Sequence, residues 1–298
     1  MIYLGIVVFC IILFCSPALR CAVFHPFKVV FYSVKDAVFY VLHKDYNLCP
    51  TGELVSFNAH FGGGKTLSAV KKCTALYKAY NNKKVWDRDK HKFVLQKVCI
   101  LSNVEFRSVP SEALKSLSQV VNYAFQNKKI DADQDTRTVL LVLIDESSSQ
   151  LNSRNFKTNI DPEFLNALIT CRHFHMNLYY TSQKFKLTDA LLRSVTQTCI
   201  HCNKRWRFLT WTYYNADEVE VASDLSMIRP LARKCFFVLD KDFAAYDTLA
   251  TVGNLKKTVE RGEMLTESEI LSLRGQLNPD NDQIKRPSRK LRRLRRRA

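Results

Sequence analysis

The sequence predicts an α/β fold with a mostly parallel sheet, preceded by an N-terminal transmembrane helix. Three observations carry this expectation. From about residue 47 onward, short hydrophobic runs alternate with segments of helical periodicity, the pattern of a parallel sheet covered on both faces. The first of these runs ends in three consecutive glycines and a Lys-Thr pair, Gly62 to Thr66, which open a helix. The first nineteen residues carry no charged side chain.

That apolar run fixes the first element. Nineteen helical residues rise about 28 Å, close to the ~30 Å hydrocarbon core. A signal peptide would need a basic start and a small-x-small cleavage site, and neither is clear. Arg20, Lys28, Lys35 and Lys44 follow the run, so the positive-inside rule places the bulk of the chain in the cytoplasm. Residues 21–42 are aromatic and β-branched with interspersed His25, Lys28 and Lys35. They fit a membrane-surface helix, a second partial span, or a helix packed on the domain.

The remaining elements follow in order. Residues 54–59 (LVSFNA) read as a strand, 65–80 as the helix after the glycines, and 81–91 as a loop or hairpin. Residues 98–101, continuing toward Asn103, fit a second buried strand. Ser111, followed by periodic Leu114, Leu117, Val120, Val121 and Ala124, reads as a capped helix, and 128–137 as a loop. Residues 138–144 (TVLLVLI) are the most hydrophobic strand candidate. A Ser/Asn-rich loop at 147–159 follows, and Asp161-Pro162 opens the next helix. Residues 177–180 read as strand, 189–195 as helix and 198–202 as strand. Residues 206–214 and 235–239 fit an antiparallel edge. No internal repeat is visible.

The 298 residues, 47% hydrophobic and 24% charged, exclude a generally disordered chain. The net charge of +17 is unevenly placed: nine cations lie between Lys285 and Arg297, with no acid beyond Asp282, so the body is only mildly basic. Ten scattered cysteines show no disulfide framework and imply a reducing compartment. Cys199 and Cys202 form a lone C-x-x-C; zinc needs four ligands and no second pair follows, so core thiols are expected.

The chemistry lies in three segments. Ala59-His60-Phe61-Gly62-Gly63-Gly64-Lys65-Thr66 fits a Walker A phosphate loop with Ala in place of the first Gly. Glycines let backbone N–H groups turn inward around phosphates, and the helix N-terminus adds its dipole. Gly62, Gly63, Gly64, Lys65, Thr66 and Leu67 form the expected nucleotide-binding set, with Lys65 on the β- and γ-phosphates and Thr66 on Mg²⁺. Residues 139–144 followed by Asp145-Glu146 fit Walker B. Asp145 is the second expected metal residue and Glu146 the base that activates water. The adjacent glutamate points to ATPases with an extra central strand. Thr181-Ser182-Gln183 ends a strand at the edge where ligands bind in such sheets, and Gln183 is the expected γ-phosphate sensor. ATP and Mg²⁺ are the expected cofactors, and the fold class becomes a RecA-like P-loop NTPase.

These residues also carry a resemblance. Gly63-Gly64-Lys65-Thr66, Ser102-Asn103, Ile144-Asp145-Glu146 and Cys171-Arg172-His173 leading into Thr181-Ser182-Gln183 look like the zonular-occludens-toxin-like ATPases, the filamentous-phage assembly proteins. Ala190-Leu191-Leu192-Arg193 and Tyr246-Asp247 are similar too, and the resemblance covers roughly residues 50–250. The core is also similar to FtsK/HerA-type DNA-pumping ATPases, in which an arginine about nine residues before the Thr/Ser-Gln acts across a subunit boundary. Arg172 matches that position, which implies catalytic work within a homo-oligomeric ring. Zonular-occludens-toxin-like proteins usually place their membrane span after the P-loop domain, whereas the apolar run here comes first.

The expected organisation is a transmembrane and juxtamembrane segment (1–46), an ATPase domain (47–250), and a polar region with a basic tail (251–298). The resemblance implies a bacterial inner-membrane, single-pass protein with a cytoplasmic ATPase domain. Its implied work is to extrude phage DNA, single-stranded by preference, alongside other assembly proteins. A genome-packaging or conjugative DNA pump shares the same chemistry. A nucleotide-binding membrane scaffold without turnover is the rival from another class. The tail fits phosphate-backbone or anionic-lipid contact, and Arg154 and Lys157 sit on a candidate substrate-gripping loop.

Overall fold

The computed structural model describes residues 16–147 and 162–247. The apolar run falls mainly on residues 1–15, and the 147–159 loop almost wholly, outside this range; the basic tail lies entirely outside it. Among the described residues no helix is long and apolar enough to cross a membrane.

Ser16 caps α1 (Pro17–Phe24), its hydroxyl accepting from the Leu19 N–H. The 21–42 stretch is then broken at His25 and restarts as α2 (Pro26–Leu42), because Pro26 lacks the N–H that would continue α1 and suits a first helical turn instead. No residue of α2 is buried. Its C-terminal end meets the domain where the His43 ring lies 4.6 Å from Trp86.

The core alternates as expected. Along the chain come β1 (Leu54–Asn58), α3 (Lys65–Tyr80), β2 (Lys83–Asp87), β3 (Lys92–Ser102), β4 (Glu105–Phe106), β5 (Glu112–Ala113), α4 (Leu117–Asp133) and β6 (Thr136–Ile144). Next are α5 (Pro162–Ile169), β7 (Met176–Ser182), α6 (Ala190–Val195), β8 (Thr198–Arg205), β9 (Phe208–Asn215) and α7 (Ala216–Val221). The described chain closes with β10 (Ala232–Phe237), α8 (Asp240–Phe243) and β11 (Tyr246–Asp247). Among the described residues one sheet runs β10-β9-β8-β1-β7-β6-β3-β2. The five strands from β8 to β3 are mutually parallel, while β2, β9 and β10 pair antiparallel at the two edges. Strand β7 stands between β1 and β6, the extra central strand expected from the Asp145-Glu146 pair.

The sheet is buried on both faces. One face packs Phe57, Val139, Leu141, Leu143 and Tyr179 against Val70 and Cys73 of α3. The other packs Leu140, Val142, Ile144 and Leu178 against Val120 and Val121 of α4 and Phe164 and Leu168 of α5. A strand covered twice needs apolar residues at every position, which is why 138–144 reads as a continuous run.

Three expectations are corrected. The helix assigned to a Ser111 cap begins at Leu117, capped by Ser116, whose hydroxyl accepts from Gln119 N–H. Glu112–Ala113 pair instead with Leu101 and Ser102 of β3, a tertiary choice that local propensity does not reveal. The expected loop at 128–137 is the last turns of α4 and the start of β6; those helical residues look loop-like because they are exposed and polar. Asp131 makes the junction, its carboxylate accepting from the Thr138 N–H and both Thr136 and Thr138 hydroxyls. Finally, the strand expected from 98 starts earlier, at Lys92, where it pairs antiparallel with β2; the segment 81–91 is thus the hairpin among its two expected forms.

Candidate functional site

The site forms at the carboxyl edge of β1, β7 and β6. Where β1 ends, the chain turns through Gly62 (φ 73°) and Gly64 (φ 84°), a region that side chains rarely adopt. Gly63 is required for a different reason: a Cβ there would lie 2.7 Å from Ala59 Cβ and 3.0 Å from the His60 carbonyl. Ala59, at the usual position of the first glycine, is itself buried. Behind the loop, Gly64 packs on Leu209 and Lys204 of the β8–β9 hairpin. Ser68 fixes its carbonyl, donating to it at 2.7 Å while accepting from Trp211 Nε1 at 2.9 Å.

Helix α3 therefore starts against a braced loop, and its first residues are Lys65, Thr66 and Leu67. Lys65 is mostly buried, with Nζ 5.5 Å from the Phe61 ring centroid. Leu67 points into the core, so its side chain takes no part in the expected nucleotide-binding set. The Thr66 hydroxyl donates to the Asp145 carboxylate at 2.9 and 3.0 Å, which brings the two expected metal residues together. That donor set fits Mg²⁺, which keeps several waters and takes only one or two protein oxygens beside phosphate. Among the described residues no cluster of three or more His, Cys, Asp or Glu forms a closed metal cage.

Asp145 is held from both neighbouring strands. Asn103, just past β3, accepts from the Asp145 N–H at 2.7 Å and donates to its carbonyl at 3.0 Å. Thr181 of β7 donates to the Asp145 carboxylate at 2.6 Å and accepts from the Glu146 N–H at 2.9 Å. Ser147 donates to the Thr181 carbonyl at 2.9 Å. Glu146 sits at φ 50°, a left-handed turn uncommon for a non-glycine, which its hydrogen-bonded N–H helps to hold. Tyr246 of β11 lies within the influence of the site: burial first, then the Asp145 charge, raise its phenol above the ordinary range.

Asn103 and Thr181 belong to the motifs that carried the resemblance, but neither had an assigned role. The β7 side chain that touches Asp145 is Thr181; Gln183 is the first residue beyond the strand and half-exposed. Arg172 is not at this edge. It is exposed in the turn before β7, against Gly52, at the amino end of the strand whose other end carries Thr181. The C-x-x-C is core: Cys199 and Cys202 are buried on opposite faces of β8, and burial pushes both thiols up to about 12.

No family model matches the chain, and no curated protein matches it. Solved structures do overlap with it. The N-terminal domain of zonular occludens toxin from Neisseria meningitidis is 18% identical, with a TM-score of 0.45, over 66% of this chain and 100% of that one. The genome packaging NTPase B204 from Sulfolobus turreted icosahedral virus 2, in complex with ATP-gammaS, is 10% identical at a TM-score of 0.37, over 63% and 98%. EccC (ATPases 2 and 3) from Thermomonospora curvata is 8% identical at 0.40, over 72% of this chain and 42% of that one. The fold assignment stands on the chain's own strand order.

Proposed function

We propose that this chain is a P-loop ATPase that binds ATP with Mg²⁺ and uses hydrolysis to move DNA, in the finer reading to extrude phage DNA during virion assembly. One observation carries the enzymatic part. Thr66 and Asp145 are joined at the carboxyl edge of the sheet, with the glycine cradle on one side and Glu146 next in the chain on the other. Phosphate recognition, metal ligation and a carboxylate for the attacking water therefore converge on one strand edge. The bound Mg–ATP supplies the electrophilic phosphoryl group. The chain supplies backbone N–H groups and Lys65 to hold phosphate oxygens, Thr66 and Asp145 to orient the metal, and Glu146 to take the proton from water.

The membrane reading rests on the charge-free run at residues 1–19 and on α2, whose Phe27, Val30, Phe31, Val34, Val38 and Val41 side chains are all exposed. It places the protein at the inner membrane of a bacterial host, with this domain in the cytoplasm. Arg172, far from its own chain's Thr66, suits a ring in which it serves a neighbour's nucleotide.

Two variants test the enzyme. Lys65→Ala loses nucleotide binding, because Lys65 serves phosphates in the ground state. Glu146→Gln keeps binding and stops turnover, because the carboxylate acts mainly on the attacking water. Fluorescent-nucleotide titration beside phosphate release reads both. Full turnover by Glu146→Gln removes the base from the mechanism, and absence of nucleotide binding by the unaltered chain removes the ATPase reading altogether.

A further inference from the structure

The antiparallel extension β8–β9–β10 has two unlike faces. Cys202, Leu209 and Trp211 point to the α3 side and belong to the core. Strand alternation therefore sends Asn203, Arg205, Phe208 and Thr210 to the opposite side. Strand β10 joins them there, since the Thr210 hydroxyl meets Cys235 Sγ at 3.8 Å and the Phe208 and Phe237 rings lie 5.4 Å apart. Pairing register sorts this face into rows: Arg205–Phe208–Phe237, then Asn203–Thr210–Cys235, then His201–Thr212–Arg233. Trp206, in the hairpin turn, closes the first row, 6.0 Å from Phe208 and 5.9 Å from Phe237.

These rows contain no carboxylate. Their aromatic members are open to solvent, Trp206 at 73%, Phe208 at 49% and Phe237 at 47% exposure. Arg205 and Arg233 are exposed and form no ion pair among the described residues. Three rings that clear the surface, flanked by cations and polar side chains on an open antiparallel sheet, match the chemistry of unpaired bases on a phosphate backbone. Each base offers a π face for stacking, and each phosphate a charge for arginine. A duplex offers only backbone and groove edges, because its bases stack on one another.

We infer that this face is a binding platform for single-stranded nucleic acid, with Trp206, Phe208 and Phe237 stacking bases and Arg205 and Arg233 holding phosphates. The inference rests on the reading that DNA is the partner, and it assigns that contact to a built surface rather than to the basic tail. The placement is mechanically apt. Strand β9 presents Phe208 and Thr210 to the strand being moved, while Leu209 and Trp211 of the same strand brace Gly64 of the phosphate loop and Ser68 of α3.

The test uses the full chain and a labelled oligothymidylate of roughly 20 nucleotides, long enough for one such platform. Trp206→Ala weakens binding by about tenfold, as expected for one lost stacking contact, and leaves the salt slope unchanged. Joint replacement Arg205→Gln with Arg233→Gln lowers that slope by roughly 1.4, from two lost phosphate contacts on a single strand. Phosphate release without DNA stays at the unaltered level in both variants, showing an intact fold. Equal oligonucleotide affinity before and after these substitutions overturns the platform. So does a Trp206→Ala variant that loses Mg–ATP affinity and keeps the oligonucleotide, since the ring then serves the nucleotide base. Altered sedimentation with unchanged DNA binding likewise overturns it and makes the face an interface between copies. If the unaltered chain binds no oligonucleotide while hydrolysing ATP, the DNA reading itself falls, and the platform with it.

Discussion

Thr181→Val replaces a buried hydroxyl with a methyl of nearly the same shape, at the point where Walker B meets the neighbouring strand. The native hydroxyl has one proton, given to the Asp145 carboxylate at 2.6 Å, and a lone pair that accepts from the Glu146 N–H at 2.9 Å. Thr181 is fully buried, so water does not replace either partner easily. A hydrogen bond to a charged group is worth about 1.5–3 kcal/mol and a neutral one about 1 kcal/mol. The variant should therefore unfold about 2.5–4 kcal/mol more easily. Asp145 keeps Thr66 and Asn103 as partners, so its position is loosened rather than lost. Removing a group that orients a metal ligand typically costs 10–100-fold in metal affinity or activity. Urea unfolding gives the first quantity, and phosphate release across a Mg²⁺ titration gives the second. Thr181→Ser, which keeps the hydroxyl, is the control and should stay near the native Mg²⁺ dependence. If Thr181→Val folds and shows the same turnover and Mg²⁺ dependence as Thr181→Ser, the hydroxyl does not position Walker B.

Arg172→Ala should bind ATP normally but turn over slowly in assembled protein, and mixing it with Glu146→Gln protein should restore some interfaces. Absence of recovery from a folded variant assigns Arg172 to the turn alone. Deleting residues 1–19 should release the chain from membranes and spare ATPase activity, because β1 begins over thirty residues later. Continued sedimentation with membranes after an alkaline wash shifts the anchor to α2.

The phosphate loop was legible because its chemistry is local. Positive φ at Gly62 and Gly64, and the crowding at Gly63, demand glycine whatever the rest of the chain does. Walker B was legible because β6 is covered on both faces, leaving an unbroken apolar run that stops at Asp145. What the sequence left hidden depended on pairing between distant segments. Thr181, Ser182 and Gln183 are three consecutive polar residues, and sequence alone does not say which faces Asp145. The register does: Ile144 pairs with Tyr180, so the next residue on each strand, Asp145 and Thr181, are neighbours. Ser111 and Ser116 are equally good caps in isolation, and only the pairing of Glu112 and Ala113 with β3 decides between them. The aromatic face of β8–β10 was hidden for the same reason, since its rows exist only once three strands are aligned.

Acid sensitivity offers a test on the opposite edge of the sheet. His175 ends the turn before β7 at φ 50°, and its carbonyl accepts from the Leu140 N–H at 3.0 Å. Its Nδ1 lies 3.4 Å from the guanidinium of buried Arg137, which also donates to Gln96 at 2.8 Å. Arginine has no acceptor, so Nδ1 must be unprotonated there. Burial first, then the Arg137 charge, lower the His175 pKa from 6.5 to about 4, against the weaker opposing pull of Asp131, Asp87 and Asp89. Above pH 6.5 the imidazole is neutral in both folded and unfolded chains and costs nothing. Between pH 6.5 and about 4 the unfolded chain takes up a proton that the folded chain refuses, so stability falls as pH falls. At about 1.4 kcal/mol per unit the full loss is at most ~3 kcal/mol, roughly 2 of it reached by pH 5. His175→Asn removes the titration, and asparagine tolerates the left-handed backbone. Urea midpoints at pH 7.5 and pH 5 should therefore move apart more in the native chain than in the variant. The comparison cancels His201, which burial also lowers. Parallel shifts in the two proteins would show that His175 and Arg137 are not packed against one another.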